Sequence, residues 1–168
     1  KDDYVFFESL LKTETNENSI LIKNSNIFFK DNDNELLFIN KIDNSKFYYD
    51  SNKLLNVFLS KNKVFNVPFK LRIENDKFNK RFNSKFSSKK IRLNINNEFE
   101  YDDNKKGLVD ISFISNNTSF NYEKKKNSIT FSSKDSKNKY DGLIEIKPFY
   151  LTANFNYNGL SSRNFFND

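Results

Sequence analysis

The chain has 168 residues, a formal net charge of +6, and no cysteine, histidine, tryptophan or methionine. Those absences exclude disulfides, thiolate chemistry and zinc–thiolate sites, and they remove the commonest general base and metal ligand. Three glycines and two prolines exclude collagen-like, Gly-rich linker and P-loop sequences.

Apolar residues make up 36 % of the chain, below the roughly 45–50 % of an average globular domain, yet 20 Phe and 8 Tyr are present. The hydrophobic content is therefore concentrated in large rings. Asn and Lys are abundant, a skew that AT-rich codon usage produces by itself, so composition carries little functional weight. No apolar run approaches the ~20 residues of a membrane-spanning helix.

In chain order, "DDYVFFESLLKTETNEN" does not alternate, and residues 1–23 read as a connector or a short helix over Tyr4–Lys12. Strands are then expected at Ile27–Lys30, Glu35–Ile42, Lys46–Asp50 and Leu54–Ser60. "VPFKLRIEN" puts Val67, Phe69, Leu71 and Ile73 on one face and Lys70, Arg72 and Glu74 on the other. Pro68 has no N–H, so an edge or a bulge is expected there. A strand near Lys80–Ser87 precedes "KKIRLNINNEFEYDD", which alternates from Lys89 to Asp103 with Ile91, Leu93, Ile95, Phe99 and Tyr101 on one face. Read as one strand, Lys89–Asp102 would span roughly 45 Å at about 3.3 Å per residue. "LVDISFIS" aligns Val109, Ile111 and Phe113, and a strand over Thr118–Lys124 follows. "SITFSS" aligns Ile129 with Phe131, "LIEIK" aligns Ile144 with Ile146, and "YLTANFNYNG" aligns Leu151, Ala153, Phe155 and Tyr157. "LSSRNFFND" (residues 160–168) has the signature of a helix start, with Ser161 or Ser162 as cap.

Polar clusters separate these runs: "DNDN", "DSNK", "ENDK", "DDNKKG", "KKKN" and "KDSKNK". Asn and Asp tolerate left-handed backbone and make local turns, so they can stand in for glycine. Short strand–turn–strand units imply antiparallel hairpins in a meander. A sheet that is apolar on one face must become a sandwich, close into a barrel, or curl into a trough. The expected fold is all-β: a long antiparallel meander curled into an open groove or half-barrel over residues 24–160, with a minor helix at residues 161–168.

Site chemistry is sparse. Ser-x-x-Lys occurs at Ser9–Lys12, Ser60–Lys63, Ser87–Lys90 and Ser136–Lys139, as expected by chance in a Ser- and Lys-rich chain. Asp2–Asp3 and Asp102–Asp103 fall in polar, solvated segments. "DNDNE" lacks the glycine of a calcium loop and reads as a β-turn. The positive charge is mostly lysine mixed with acidic neighbours, which reads as a solubilised surface with protected edges and not as a nucleic-acid footprint. No catalytic residue, metal or cofactor is expected.

The hairpins "SNIFFKDNDNELLFINKI" and "VFNVPFKLRIENDKFNKRF" and the stretch "NKYDGLIEIKPFYLTANFNYNGLSSRNFF" resemble the β-rich repeats of the AsmA-like/TamB superfamily of bacterial envelope proteins. In the last stretch a Gly-x-Ile/Leu strand runs into Lys147-Pro148-Phe149, and an alternating strand then leads toward a helix. The resemblance implies a periplasmic trough anchored in the inner membrane by a segment outside this chain, flanked by further repeats, and handling phospholipid between membranes or serving outer-membrane assembly. The lining expected of such a trough is Val67, Phe69, Leu71, Ile73, Ile91, Leu93, Ile95, Phe99, Val109, Ile111, Phe113, Ile129, Phe131, Ile144, Ile146, Leu151 and Phe155. The chain itself is read as an excised segment of a longer protein. A closed β-sandwich serving adhesion or interaction, and a fragment of a transmembrane β-barrel, are the alternatives.

Overall fold

The computed structural model describes residues 19–31, 33–102, 105–134, 138–146 and 149–157. They form one antiparallel sheet of eleven strands in strictly sequential order, open at both edges. The strands are β1 (Ile20–Lys30), β2 (Leu36–Asp50), β3 (Leu55–Val64), β4 (Val67–Asp76), β5 (Arg81–Ser88), β6 (Leu93–Glu100), β7 (Lys106–Phe113), β8 (Asn116–Lys124), β9 (Ser128–Ser133), β10 (Asn138–Ile146) and β11 (Phe149–Tyr157). Every substantial strand–strand contact joins sequence neighbours. Among the described residues no second layer covers the sheet, so it is neither a sandwich nor a closed barrel. No helix among them is long and apolar enough to cross a membrane. The helices expected at Tyr4–Lys12 and at residues 161–168 lie outside the described residues.

Three expectations change. The first strand starts at Ile20, so the end of the expected connector already pairs with β2, Ile20 opposite Phe47 and Ile22 opposite Ser45. The segments Glu35–Ile42 and Lys46–Asp50 are one strand with a bulge inside it. Lys89–Asp102 is not one long strand: Lys89–Arg92 form the β5–β6 turn, with Arg92 in left-handed backbone (φ 50°) and its N–H donating to the Lys89 carbonyl at 3.3 Å.

The bulge explains why β1 and β2 hid their pattern. Asn24 (φ 49°) and Asp43 are both skipped in the β1–β2 register, which runs from Lys23–Asn44 to Ser25–Ile42. An extra residue in each strand reverses which parity faces inward. Ile42 and Phe47 thus share a face although one number is even and the other odd, through their partners Asn62 and Phe58 on β3. Pro68 lies in an interior strand, but β5 pairing begins only at Lys70, so the missing N–H removes no bond on that side. Ser88 Oγ donates to the Pro68 carbonyl at 2.7 Å.

Only four apolar side chains among the described residues are buried: Ile42, Phe47, Val57 and Tyr140. A two-layer domain of this size would bury many more. Val57 sits on the outer face, paired with Tyr48 and Glu74. The other three lie on the inner face.

Candidate functional site

Register fixes which residues share the inner face. Following paired positions from strand to strand, Leu71 leads to Phe86, Ile95, Ile111 and Thr118. A second row runs from Phe82 through Phe99 and Gly107 to Tyr122, Phe131 and Gly142. Val67, Phe69, Ile73, Leu93, Val109, Phe113, Ile129, Ile144 and Leu151 fall on the same face by the same registers. Ile146 pairs with Phe149 and Phe155 with Tyr140, and only their backbone is described. Ile91 is displaced from this set: it belongs to the β5–β6 turn and is exposed.

The inner face is concave. Asn97 on β6 and Leu151 on β11 border one hollow of about 510 Å³, together with Val109, Phe120, Tyr122 and Ile144. Five strand steps of about 4.8 Å would hold β6 and β11 roughly 24 Å apart in a flat sheet, so one hollow can touch both only if the sheet curls. A second hollow, about 260 Å³, spans β1–β4 and is walled by Ile20, Ile22, Ile27, Ile42, Phe47 and Leu71, among others.

Large rings bridge strands that are not neighbours. Tyr122 on β8 crosses β7, stacking on Phe99 of β6 at 5.8 Å and donating from its hydroxyl to Asn97 Oδ1 at 2.7 Å. Burial raises the Tyr122 phenol above its ordinary pKa of 10.0, and the bond to Asn97 partly offsets this. Tyr140 on β10 crosses β9 to pack on Phe120 at 4.8 Å and to share a hydrogen bond with Thr118. Tyr122 can cross because Gly107 leaves room: a methyl there would overlap its ring.

The smaller hollow has a polar corner. Ser60 Oγ donates to Asn62 Oδ1 at 2.7 Å, and Ser45 Oγ shares a hydrogen with Ser60. Nearby, Asn40 Oδ1 is buried with no hydrogen-bond partner among the described residues. An apolar wall with a few convergent polar groups is the usual make-up of a small-molecule site.

No family model, curated protein or solved structure matches this chain. The site therefore rests on its own geometry. Among the described residues no group of three or more His, Cys, Asp or Glu side chains could hold a metal.

The alternating strands led to the inner face itself. The β1–β3 half of the smaller hollow, including Ile42, Phe47, Phe58 and its Ser/Asn corner, was missed because the bulge breaks the period in β1 and β2, and because β3 turns Asn56, Ser60 and Asn62 inward and Leu55, Val57 and Leu59 outward. A residue-pair signal could have found it: "NKIDNSKF" keeps two apolar positions five apart around an Asp-Asn pair, as a paired bulge would require.

Proposed function

We propose that the curled sheet is a non-enzymatic lipid-handling segment whose inner face receives acyl chains. One observation carries this: two apolar hollows lie on a concave face that no second layer covers, among the described residues. Removing apolar surface from water is worth about 25 cal/mol per Å², so an uncovered apolar trough favours an apolar occupant. The Ser45–Ser60–Asn62 corner suits an amphiphile, whose polar group can sit where the wall turns polar.

The resemblance to AsmA-like/TamB repeats supports the same proposal and extends it to phospholipid transport or outer-membrane assembly, on the periplasmic side of a bacterial envelope. The membrane anchor and neighbouring repeats would then belong to other parts of the full protein. The sandwich alternative loses its premise, since the described strands form one layer.

The test is organic extraction and mass spectrometry of protein purified without detergent, with displacement of a fluorescent fatty acid as a second readout. Leu71→Asp places a charge in the β1–β4 hollow and should abolish probe binding there. Lipid-free protein that also fails to bind the probe would overturn the proposal.

A further inference from the structure

Along the chain, lysines and carboxylates are mixed, but the cross-strand register sorts them. On the outer face, Asn44, Lys61, Lys70 and Ser87 stand in one row across β2–β5, and Lys46, Leu59, Arg72 and Lys85 stand in the next. Neighbouring positions in a row are about 4.8 Å apart, and the two rows about 6.6 Å apart. Between these side chains lies a hollow of about 450 Å³. Lys46, Lys61, Lys70, Arg72 and Lys85 line it around Leu59, and among the described residues no carboxylate does.

Carboxylates border the hollow instead of entering it. Asp43 is held by Lys63 Nζ at 3.2 Å, and Glu74 is held by Arg72 through Nε and Nη2. Glu98 on β6 stands diagonally from Lys85, and Asp110 lies two strands beyond Lys85 in its row. Among the described residues, Lys46, Lys61, Lys70 and Lys85 make no ion pair. Lys46 lies over the Tyr48 ring, 4.9 Å from its centre. Folding does not account for this grouping. Lys61 opposes Lys70 and Arg72 opposes Lys85, and like charges directly opposite each other destabilise a sheet.

We propose that this hollow binds a compact, water-soluble anion carrying two or more phosphate groups. A phosphate monoester carries about −1.5 to −2 at pH 7, so two of them match four unpaired lysines. The two rows offer one cation pair each, Lys61–Lys70 and Arg72–Lys85. Arg72 is already oriented by Glu74, and the flexible lysines can close on the ligand from either side. The bordering carboxylates favour a compact anion. A nucleic-acid strand or a flat bilayer laid across the hollow would also meet Asp43, Glu74 and Glu98. The site lies on the opposite face from the two apolar hollows, so it goes beyond the lipid proposal and can stand or fall without it.

Isothermal titration calorimetry with inorganic tripolyphosphate tests it, with orthophosphate compared at matched ionic strength. Tripolyphosphate should bind at least about tenfold more tightly than orthophosphate. Lys61→Gln/Lys70→Gln should weaken tripolyphosphate binding by about tenfold or more. Lys125→Gln/Lys126→Gln, in the β8–β9 turn, removes the same charge elsewhere and should leave binding unchanged. The Lys61/Lys70 variant loses a like-charge pair and keeps the fold, so its melting temperature gives a second readout: tripolyphosphate should raise it less than that of the wild type. Equal affinity for orthophosphate, equal loss in the β8–β9 control, or equal thermal shifts in wild type and variant would each overturn the proposal. So would tighter binding of single-stranded DNA, or of vesicles containing phosphatidylglycerol, through Lys61 and Lys70, which would make the patch an extended anion surface.

Discussion

Tyr122 lies across Gly107, so close that a methyl on the glycine would overlap the phenol ring. The ring covers backbone that glycine leaves bare and reaches Phe99 and Asn97 one strand further on. Curvature, packing and the wall of the larger hollow thus meet at one pair of residues. Gly107→Ala should destabilise the sheet by about 1–3 kcal/mol through overpacking. Because the clash is with one side chain, Gly107→Ala/Tyr122→Ala should be more stable than the sum of the two single changes, a coupling visible in a denaturant double-mutant cycle. Additive losses would mean that Tyr122 does not rest on Gly107.

Gly142 resembles Gly107 but allows no such rescue. A methyl there would meet the Thr152 carbonyl oxygen on β11 as well as the Phe131 ring. Gly142→Ala should therefore cost more than Gly107→Ala, and Phe131→Ala should not relieve it, because backbone still obstructs. Urea unfolding of the two single and two double variants settles the ranking.

Removing the strain at the hairpin tips, where Phe65 and Ile114 hold left-handed backbone, should raise stability. Ile114→Gly relieves a β-branched residue in left-handed backbone and should stabilise the fold by about 1 kcal/mol. Phe65→Asn should gain less, because Phe65 packs on Phe38 with ring centroids 6.1 Å apart. Thermal melts monitored by circular dichroism report both. A lower melting temperature for Ile114→Gly would show that the exposed side chain is packing after all.

How much of this was legible in the sequence depended on whether each strand keeps one parity. β9 was read to its exact ends, Ser128–Ser133, and β4 to within a residue, because unbroken alternation is a local property. Inward-facing Leu93, Ile95, Val109 and Ile111 followed for the same reason. Ile91 was misplaced because the turn at Lys89–Arg92 does not interrupt the odd-number spacing, so parity alone cannot mark the strand's start. The positive φ of Leu54, Phe65, Arg92 and Ile114 carried no glycine or asparagine signal. The larger hollow was beyond reach for a further reason: rings on its face, Tyr122 and Tyr140, span an intervening strand to partners 25 and 22 residues away in sequence.

On the outer face, Lys61 stands directly opposite Lys70, and Arg72 directly opposite Lys85. Like charges in cross-strand pairs are unfavourable, and the Glu74 carboxylate on the same strand is already held by Arg72 with Nε at 2.9 Å. Lys70→Glu should convert one repulsive pair into an attractive one and stabilise the protein by about 0.2–1 kcal/mol. Added salt should shrink that gain, since both side chains are exposed. An unchanged melting temperature at low salt would show that the two lysines splay apart in solution.

Asp76 gives the fold a defined response to acid. Its carboxylate accepts the Asn79 backbone N–H at 2.9 Å and the Asn79 side-chain amide at 2.7 Å, closing the β4–β5 turn. The Asn79 backbone bond is the largest influence holding its pKa below the ordinary 3.8, followed by the Asn79 side chain; desolvation opposes them, and the Phe78 N–H and the Arg81 charge add lesser lowering effects. A carboxylate with a depressed folded-state pKa contributes stability that is present above the unfolded pKa and is lost as pH falls through the folded one. Wild type should therefore exceed Asp76→Asn in stability at neutral pH. The gap should begin to narrow below about pH 4 and close as Asp76 takes up its proton. Urea midpoints measured for both chains from neutral pH downward check this. A gap that stayed constant across that range would mean that the turn is held by Asn79 geometry alone, without the charge.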